Sequence, residues 1–312
     1  TVTPVTPTAT PVESTDIQGA TQTGKPVFTE GDSRVPMNDA VPATFDDGST
    51  TKTVDGVGTY TVAADGTVTF VPEPSFTGTA PAVTVVREDM NGTEASATYT
   101  PTVTPITVTP TDKVSEDVQN VPQTQTPTFD LSSDKTAQIT SKKLVDPTTG
   151  QPTDATTMTV AGEGTYTIDP TTGAVTFTPE KDFVGIATGV TVQATATITN
   201  AAGKTATITS DATYTPTVVA AVPTAQPATS KDIQGATQTG TPTFAGTTVQ
   251  VNGEDKAITI KDNSYTLLDN DGNEVTSTPA YAADGTTEIG TYSIDSATGQ
   301  VTFTPTDRSE EH

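Results

Sequence analysis

One carboxylate stands at the same place in three copies of a sequence block. It is the first group in this chain that could do chemistry. Asp16-Ile17-Gln18-Gly19 returns as Asp117-Val118-Gln119-Asn120 and again as Asp232-Ile233-Gln234-Gly235, at offsets of 101 and 115 residues. General acid–base work needs a carboxylate in a pocket, with a tuned pKa and a partner. Such partners are scarce: there is no cysteine, and the only histidine is His312, the last residue. Thiol chemistry and Cys/His metal sites are thereby excluded. The recurring aspartate reads as a structural group that caps a turn or meets the preceding copy. No catalytic residue and no cofactor is assigned, and the chain is read as non-enzymatic.

Other residue patterns in the chain also have the composition of chemical sites. Asp269-Asn270-Asp271-Gly272-Asn273-Glu274 has the composition of a calcium loop, with Asp269, Asp271, Asn273 and Glu274 as candidate metal ligands. A helix–loop–helix calcium site, however, would need a carboxylate where Leu267 stands, and a Glu six residues beyond the glycine. The other copies lack the loop, so the expected reading is an Asn/Asp/Gly turn with no metal. A Lys–Asn isopeptide would need a lysine at a fixed core position, but Lys25 aligns with Thr126 and Thr241. Tyr60, Tyr166 and Tyr292 could stack on sugars; their phase within alternating segments places them in a core instead. Asn91-Gly92-Thr93 fits both an N-glycosylation site and a hairpin turn, and the turn is preferred.

These residues must be positioned by strands. Gly58-Thr59-Tyr60-Thr61-Val62, Gly164-Thr165-Tyr166-Thr167-Ile168 and Gly290-Thr291-Tyr292-Ser293-Ile294 alternate with a period of two. Val68-Thr69-Phe70, Val175-Thr176-Phe177 and Val301-Thr302-Phe303 follow after Asp- and Gly-containing turns. This is one β-hairpin written three times, with Tyr60, Val62, Val68 and Phe70 facing one core. Pro72, Pro179 and Pro305 end the second strand. Further strands are expected around Val83 and Val85, then Ala97 and Tyr99, and around Val190 and Val192, then Ala212 and Tyr214. No stretch shows helical periodicity. The fold class is therefore all-β: tandem antiparallel, Ig-like β-sandwich repeats in an elongated rod. The third copy is expected to be truncated and to leave an exposed edge, because its sequence stops short of the last two strands.

The expected division is a Thr/Pro linker at 1–11, repeats at 12–103 and 113–218, linkers at 104–112 and 219–227, and a partial repeat at 228–307. Residues 308–312 match nothing in the other copies and read as an appended remnant. The linkers are rich in Thr, Pro and Val, and proline makes them extended and stiffer than Gly/Ser chain. The chain begins at Thr1 with no leader-like segment and is read as an excerpt of a longer protein.

Composition narrows the partners. The net charge is −24, with 14 Lys and Arg scattered along 312 residues. Such a surface repels nucleic acid and anionic lipid. No apolar run is long enough to span a membrane. Leu, Ile, Val and Phe number 57 of 312, or roughly 18%, a share that with high charge is also a signature of disorder. Against disorder stand the regular order of the apolar residues and the strand-forming threonine that makes up much of the polar excess. Small cores and low stability per repeat are expected.

The Asp-Ile-Gln opening, the Gln-x-x-x-Pro-x-Phe step, the Gly-x-Tyr-x-Val hairpin, the Val-Thr-Phe-x-Pro strand and the closing Tyr99-Thr100-Pro101-Thr102-Val103 and Tyr214-Thr215-Pro216-Thr217-Val218 resemble the CshA-type fibril repeats of Gram-positive, streptococcal surface adhesins. The resemblance covers nearly the whole chain. It implies a secreted, virulence-associated stalk at the bacterial cell surface, anchored to cell-wall peptidoglycan by a C-terminal region and holding a distal adhesive region outward. No Leu-Pro-x-Thr-Gly sorting signal occurs in these residues. The implied partners are neighbouring repeats of the same chain, and a host ligand bound by regions outside these residues. The alternative is that the repeats themselves bind a host glycan or protein, or each other. Insertions such as Asp262 to Asp284 depart from the pattern.

Overall fold

The computed structural model describes residues 2–306; the remnant read at 308–312 lies outside them. No helix occurs among the described residues. The chain forms two compact units, one of Thr1–Val114, Thr124–Phe177 and Thr188–Pro216, the other of Ser115–Gln123, Thr178–Ala187 and Thr217–His312.

In the first unit, the first copy contains eleven strands: β1 Thr8–Thr10, β2 Val12–Ile17, β3 Gln22–Gly24, β4 Val27–Thr29, β5 Thr44–Phe45, β6 Thr51–Val54, β7 Gly58–Val62, β8 Val68–Pro72, β9 Gly78–Thr79, β10 Val83–Glu88 and β11 Glu94–Thr104. One sheet has the order β3-β8-β7-β6; the other has β2-β11-β10-β5, with β9 also on β11. A ribbon of β1 and β4 stands apart. The alternating side chains of both sheets meet in one core, where Tyr60, Phe70 and Val68 from one sheet pack with Val83, Val85, Tyr99 and Val103 from the other. This is a sandwich, and the residues read as core-facing in its hairpin are all buried.

Local chemistry explains the hairpin. Asp65 accepts the amide of Thr67 at 3.0 Å, and Gly66 takes φ +90°. Gly58 faces Pro72, and Tyr60 faces Phe70. A Cβ on Gly58 would lie 2.5 Å from the Val71 carbonyl oxygen and 2.7 Å from the Phe70 ring. Only glycine lets the aromatic ring lie across this strand.

One pairing departs from the antiparallel expectation. Strand β2 runs parallel to β11, with Tyr99 beside Val12 and Thr104 beside Ile17. Parallel neighbours need a long crossover, and here the whole copy between the first and last strands serves as one. In the second copy, Ala137–Leu144, Val190–Thr199 and Thr205–Val219 form the corresponding long antiparallel strands. Their alternation buries Val192, Ala194, Ala196, Ile198 and Tyr214.

The second unit holds the third copy. Its four-stranded sheet runs Gln238–Gly240, Val301–Pro305, Glu288–Ile294, Ser277–Tyr281. Two hairpins, Thr247–Val251 with Glu254–Ile258 and Leu267–Leu268 with Glu274–Val275, lie beside it in sequence. Among the described residues no second sheet covers this one. Tyr292 is therefore 41% exposed, whereas Tyr60 and Tyr166 are fully buried. The core role read for Tyr292 is corrected: its phase is right, but among the described residues no strands cover it as they cover Tyr60 and Tyr166.

Candidate functional site

The parallel pairing of β2 with β11 carries the Asp-x-Gln motif to the end at which the chain leaves the first copy. Asp16 lies opposite Val103, and the amide of Gln18 donates to the Thr104 carbonyl at 2.8 Å. A tight turn follows: Ala20 N–H bonds the Ile17 carbonyl at 3.0 Å, with Gly19 at φ +78°. The Gln18 side chain spans the junction. Its Nε2 donates to the Pro74 carbonyl at 2.8 Å, and its Oε1 accepts the Ile106 amide at 3.2 Å.

The next copy closes on this turn. Lys135 Nζ lies 2.5 Å from Asp16 Oδ2, and Thr136 Oγ1 donates to the Gln18 carbonyl at 2.6 Å. Ile106, Ala137 and Ile198 form a small buried cluster on which Ile17, Leu131 and Ile208 pack. A second turn of the following copy reaches back: Asn200 Nδ2 donates to the Pro72 carbonyl at 2.8 Å, and Lys204 Nζ lies 2.5 Å from Glu73 Oε1. Partial burial opposes ionisation of Asp16. The Lys135 ammonium and the Ile17 amide outweigh it and hold the carboxyl below its ordinary 3.8.

Within the second unit the pattern recurs. Lys256 Nζ lies 2.5 Å from Asp117 Oδ1, and the Ala221 amide donates to Gln119 Oε1 at 3.0 Å. Asn252, at the tip of an Asn-Gly hairpin, donates its amide to Glu116 Oε2 at 2.7 Å. In both places the motif meets the following copy. This corrects the reading that the aspartate meets the preceding one. The reason is topological: a parallel first strand ends beside the last strand, where the next copy starts.

Sequence reasoning missed Lys135, Lys256 and Asn200. Lys135 lies 119 residues beyond Asp16, and Lys256 lies 139 beyond Asp117. The unequal offsets hide the lysines from an alignment of copies. The signal that remained was a lysine in each copy that follows an Asp-x-Gln motif.

Asp232 Oδ1 accepts the Ile233 amide at 2.7 Å, with no copy following it in the described residues. Asp269 accepts the amides of Asp271 and Asn273 through Oδ1, and Asn273 Nδ2 through Oδ2. These bonds hold its carboxyl below the ordinary value, led by the Asn273 amide. Among the described residues no three or more His, Cys, Asp or Glu are grouped to hold a metal ion. Lys25 forms an exposed ion pair with Asp65 at 2.8 Å. Asn91-Gly92-Thr93 makes the β10–β11 turn, its amides at 91 and 93 bonding buried Asp89. Tyr60 donates its hydroxyl to the Pro81 carbonyl at 2.8 Å, and its ring packs on Phe70 at 4.5 Å.

A family model described as "Surface adhesin CshA repetitive domain" matches residues 4–103, 105–218 and 220–308. Among solved structures, repeat domain 13 of the fibrillar adhesin CshA from Streptococcus gordonii is 53% identical, over 22% of this chain and 90% of that one, with a TM-score of 0.15. Mouse cadherin-23 EC22-24 is 12% identical over 98% of this chain and 90% of that one, with a TM-score of 0.29. The titin I9-I11 tandem is 14% identical over the same shares, also with a TM-score of 0.29. No curated protein matches the chain.

Proposed function

The chain belongs to the family of surface adhesin CshA repeats, and from that premise we propose that it serves as the stalk of a fibrillar adhesin. The family is one of adhesin repeats at the cell surface and not an enzyme family. In this reading the repeats of a Gram-positive fibril project a distal adhesive region outward. Anchorage to the wall belongs to a C-terminal region of the longer protein, and host binding to regions beyond these repeats. The repeat boundaries at 12–103, 113–218 and 228–307 are part of the same proposal.

The observation that supports this reading is the junction itself. Each compact unit contains one, and in each an Asp-x-Gln motif is joined to the following copy by a lysine and by a glutamine that accepts a linker amide. Domains joined by small polar interfaces move freely by default. An ion pair, directed hydrogen bonds and a patch of isoleucine at the first junction restrict that freedom. A stalk requires such restriction; a chain of independent binding modules does not.

Small-angle X-ray scattering with a circular dichroism melt on the same sample tests the proposal. A rod-like profile with a cooperative β transition is expected. A Gaussian-chain profile without a transition overturns it. The paired variant Asp16→Ala, Asp117→Ala should raise the flexibility seen in scattering while leaving the β spectrum unchanged.

A further inference from the structure

An asparagine of the second junction stands next to the atom that can displace its own amide group. The hairpin of Thr247–Val251 and Glu254–Ile258 turns on two residues, Asn252 and Gly253, with Val251 facing Glu254. Their φ values are +52° and +80°, the pattern of a type I′ turn. The tip reaches the strand that carries Asp117. The Asn252 amide donates to Glu116 Oε2 at 2.7 Å, and Asn252 Nδ2 donates to the Glu116 carbonyl at 3.2 Å. Lys256, on the same hairpin, pairs with Asp117 at 2.5 Å.

At an Asn-Gly step the following backbone nitrogen meets least obstruction on its way to the side-chain carbonyl, because glycine has no Cβ. The chain has two such steps, Asn91-Gly92 and Asn252-Gly253. They differ in the attacking atom. Gly92 N–H is committed to the Asp89 carbonyl at 2.9 Å. Gly253 N–H has no hydrogen-bond partner among the described residues, and a Cβ on Gly253 would meet nothing within 4 Å. Asn252 is exposed, so water reaches it. The junction is what restrains it: with Nδ2 on the Glu116 carbonyl, the side-chain amide is pinned in one position. At the first junction Asn200 donates similarly to the Pro72 carbonyl, but it is buried and followed by Ala201.

We infer that Asn252 is a deamidation site gated by the junction, and that its conversion holds the junction open. Once the hairpin lifts from Glu116, the Gly253 nitrogen attacks Asn252 Cγ. A C–N bond forms, the nitrogen's proton passes to the leaving amide, and ammonia departs from a five-membered succinimide. Water then opens the ring at either carbonyl to leave aspartate or isoaspartate. Such an intramolecular attack depends on the freedom to reach the right geometry. The product carboxylate faces an acceptor, the Glu116 carbonyl, with nothing to donate, and the Glu116 carboxylate beside it repels it. Isoaspartate also adds a methylene to a turn built for two residues. An opening of the junction is thus recorded as lasting looseness. The inference rests on the geometry of the second junction and not on the stalk reading.

The test ages the full chain in mildly alkaline buffer and follows aspartate and isoaspartate at positions 91, 200 and 252 by peptide mapping and mass spectrometry. Conversion at 252 is expected, with 200 unconverted. The paired variant Glu116→Ala, Asp117→Ala leaves the hairpin sequence untouched; it should raise the rate at 252 several-fold without changing the rate at 91. Asn252→Gln, whose ring closure is far slower, should stay intact. Asn252→Asp should mimic the product, with more flexibility in scattering and an unchanged β spectrum. The inference is overturned by no conversion at 252 in the paired variant, by equal rates there in variant and wild type, or by an equal rise at 91. An Asn252→Asp chain that scatters as wild type does would also overturn it.

Discussion

At the scale of the residue, the junction separates alignment from adhesion. Asp16 and Lys135 are partly exposed, at 28% and 55% for their side chains. A pair of that kind contributes about 0–1 kcal/mol. Ile198, fully buried in the same junction, should lose about 2–4 kcal/mol on truncation to alanine. Urea denaturation should therefore show Asp16→Asn within about 1 kcal/mol of wild type and Ile198→Ala well below both. The reverse order would mean that charge, not apolar packing, holds the copies together. The pH dependence has a definite sign. The folded carboxyl of Asp16 lies below its ordinary 3.8, so its contribution is complete above that value and fades as pH falls through the folded one. The gap between wild type and Asp16→Asn should close over that acid window and stay constant at neutral pH. A single glycine offers a sharper test. Gly24→Ala would drive a methyl into the Tyr99 ring, for an expected loss of about 1–3 kcal/mol in the same denaturation assay.

At the scale of the element, the parallel pairing of β2 and β11 decides where the motif points. It joins the start of a copy to its end and so presents the Asp-x-Gln turn to whatever follows. The hairpin of β7 and β8 needs the second sheet above it to become a core. In the third copy the same hairpin stands without that cover, and its aromatic pair, Tyr292 and Phe303, opens to 5.2 Å from the 4.5 Å of Tyr60 and Phe70. Backbone hydrogen bonds with little apolar cover open locally at low free energy. Amides of Gly290–Ile294 should therefore exchange faster than those of Gly58–Val62, read by mass spectrometry on intact chain. Equal protection would contradict the uncovered sheet.

At the scale of the whole molecule, charge acts against compactness. A net charge of −24 on 312 residues repels itself at low ionic strength. The ion pairs that salt also weakens are surface pairs of small worth. Repulsion outweighs them, so the melting temperature should rise between 10 and 150 mM salt, where the Debye length falls from about 30 to about 8 Å. A falling melting temperature would show that the junction pairs dominate after all.

The strands, the hairpin and its turn chemistry, the core phase of Tyr60, Val62, Val68 and Phe70, and the all-β class were legible in the chain, because period-two alternation and Asp/Gly turns are local properties. The repeated Asp-x-Gln was legible as a recurring group, but not its direction. That depended on a parallel contact between residues 87 positions apart, and on lysines whose offsets differ between copies. Neither leaves a local trace. Whether a correctly phased tyrosine becomes core or stays exposed was likewise decided only in three dimensions, since burial is a property of what covers a side chain and not of the strand that carries it.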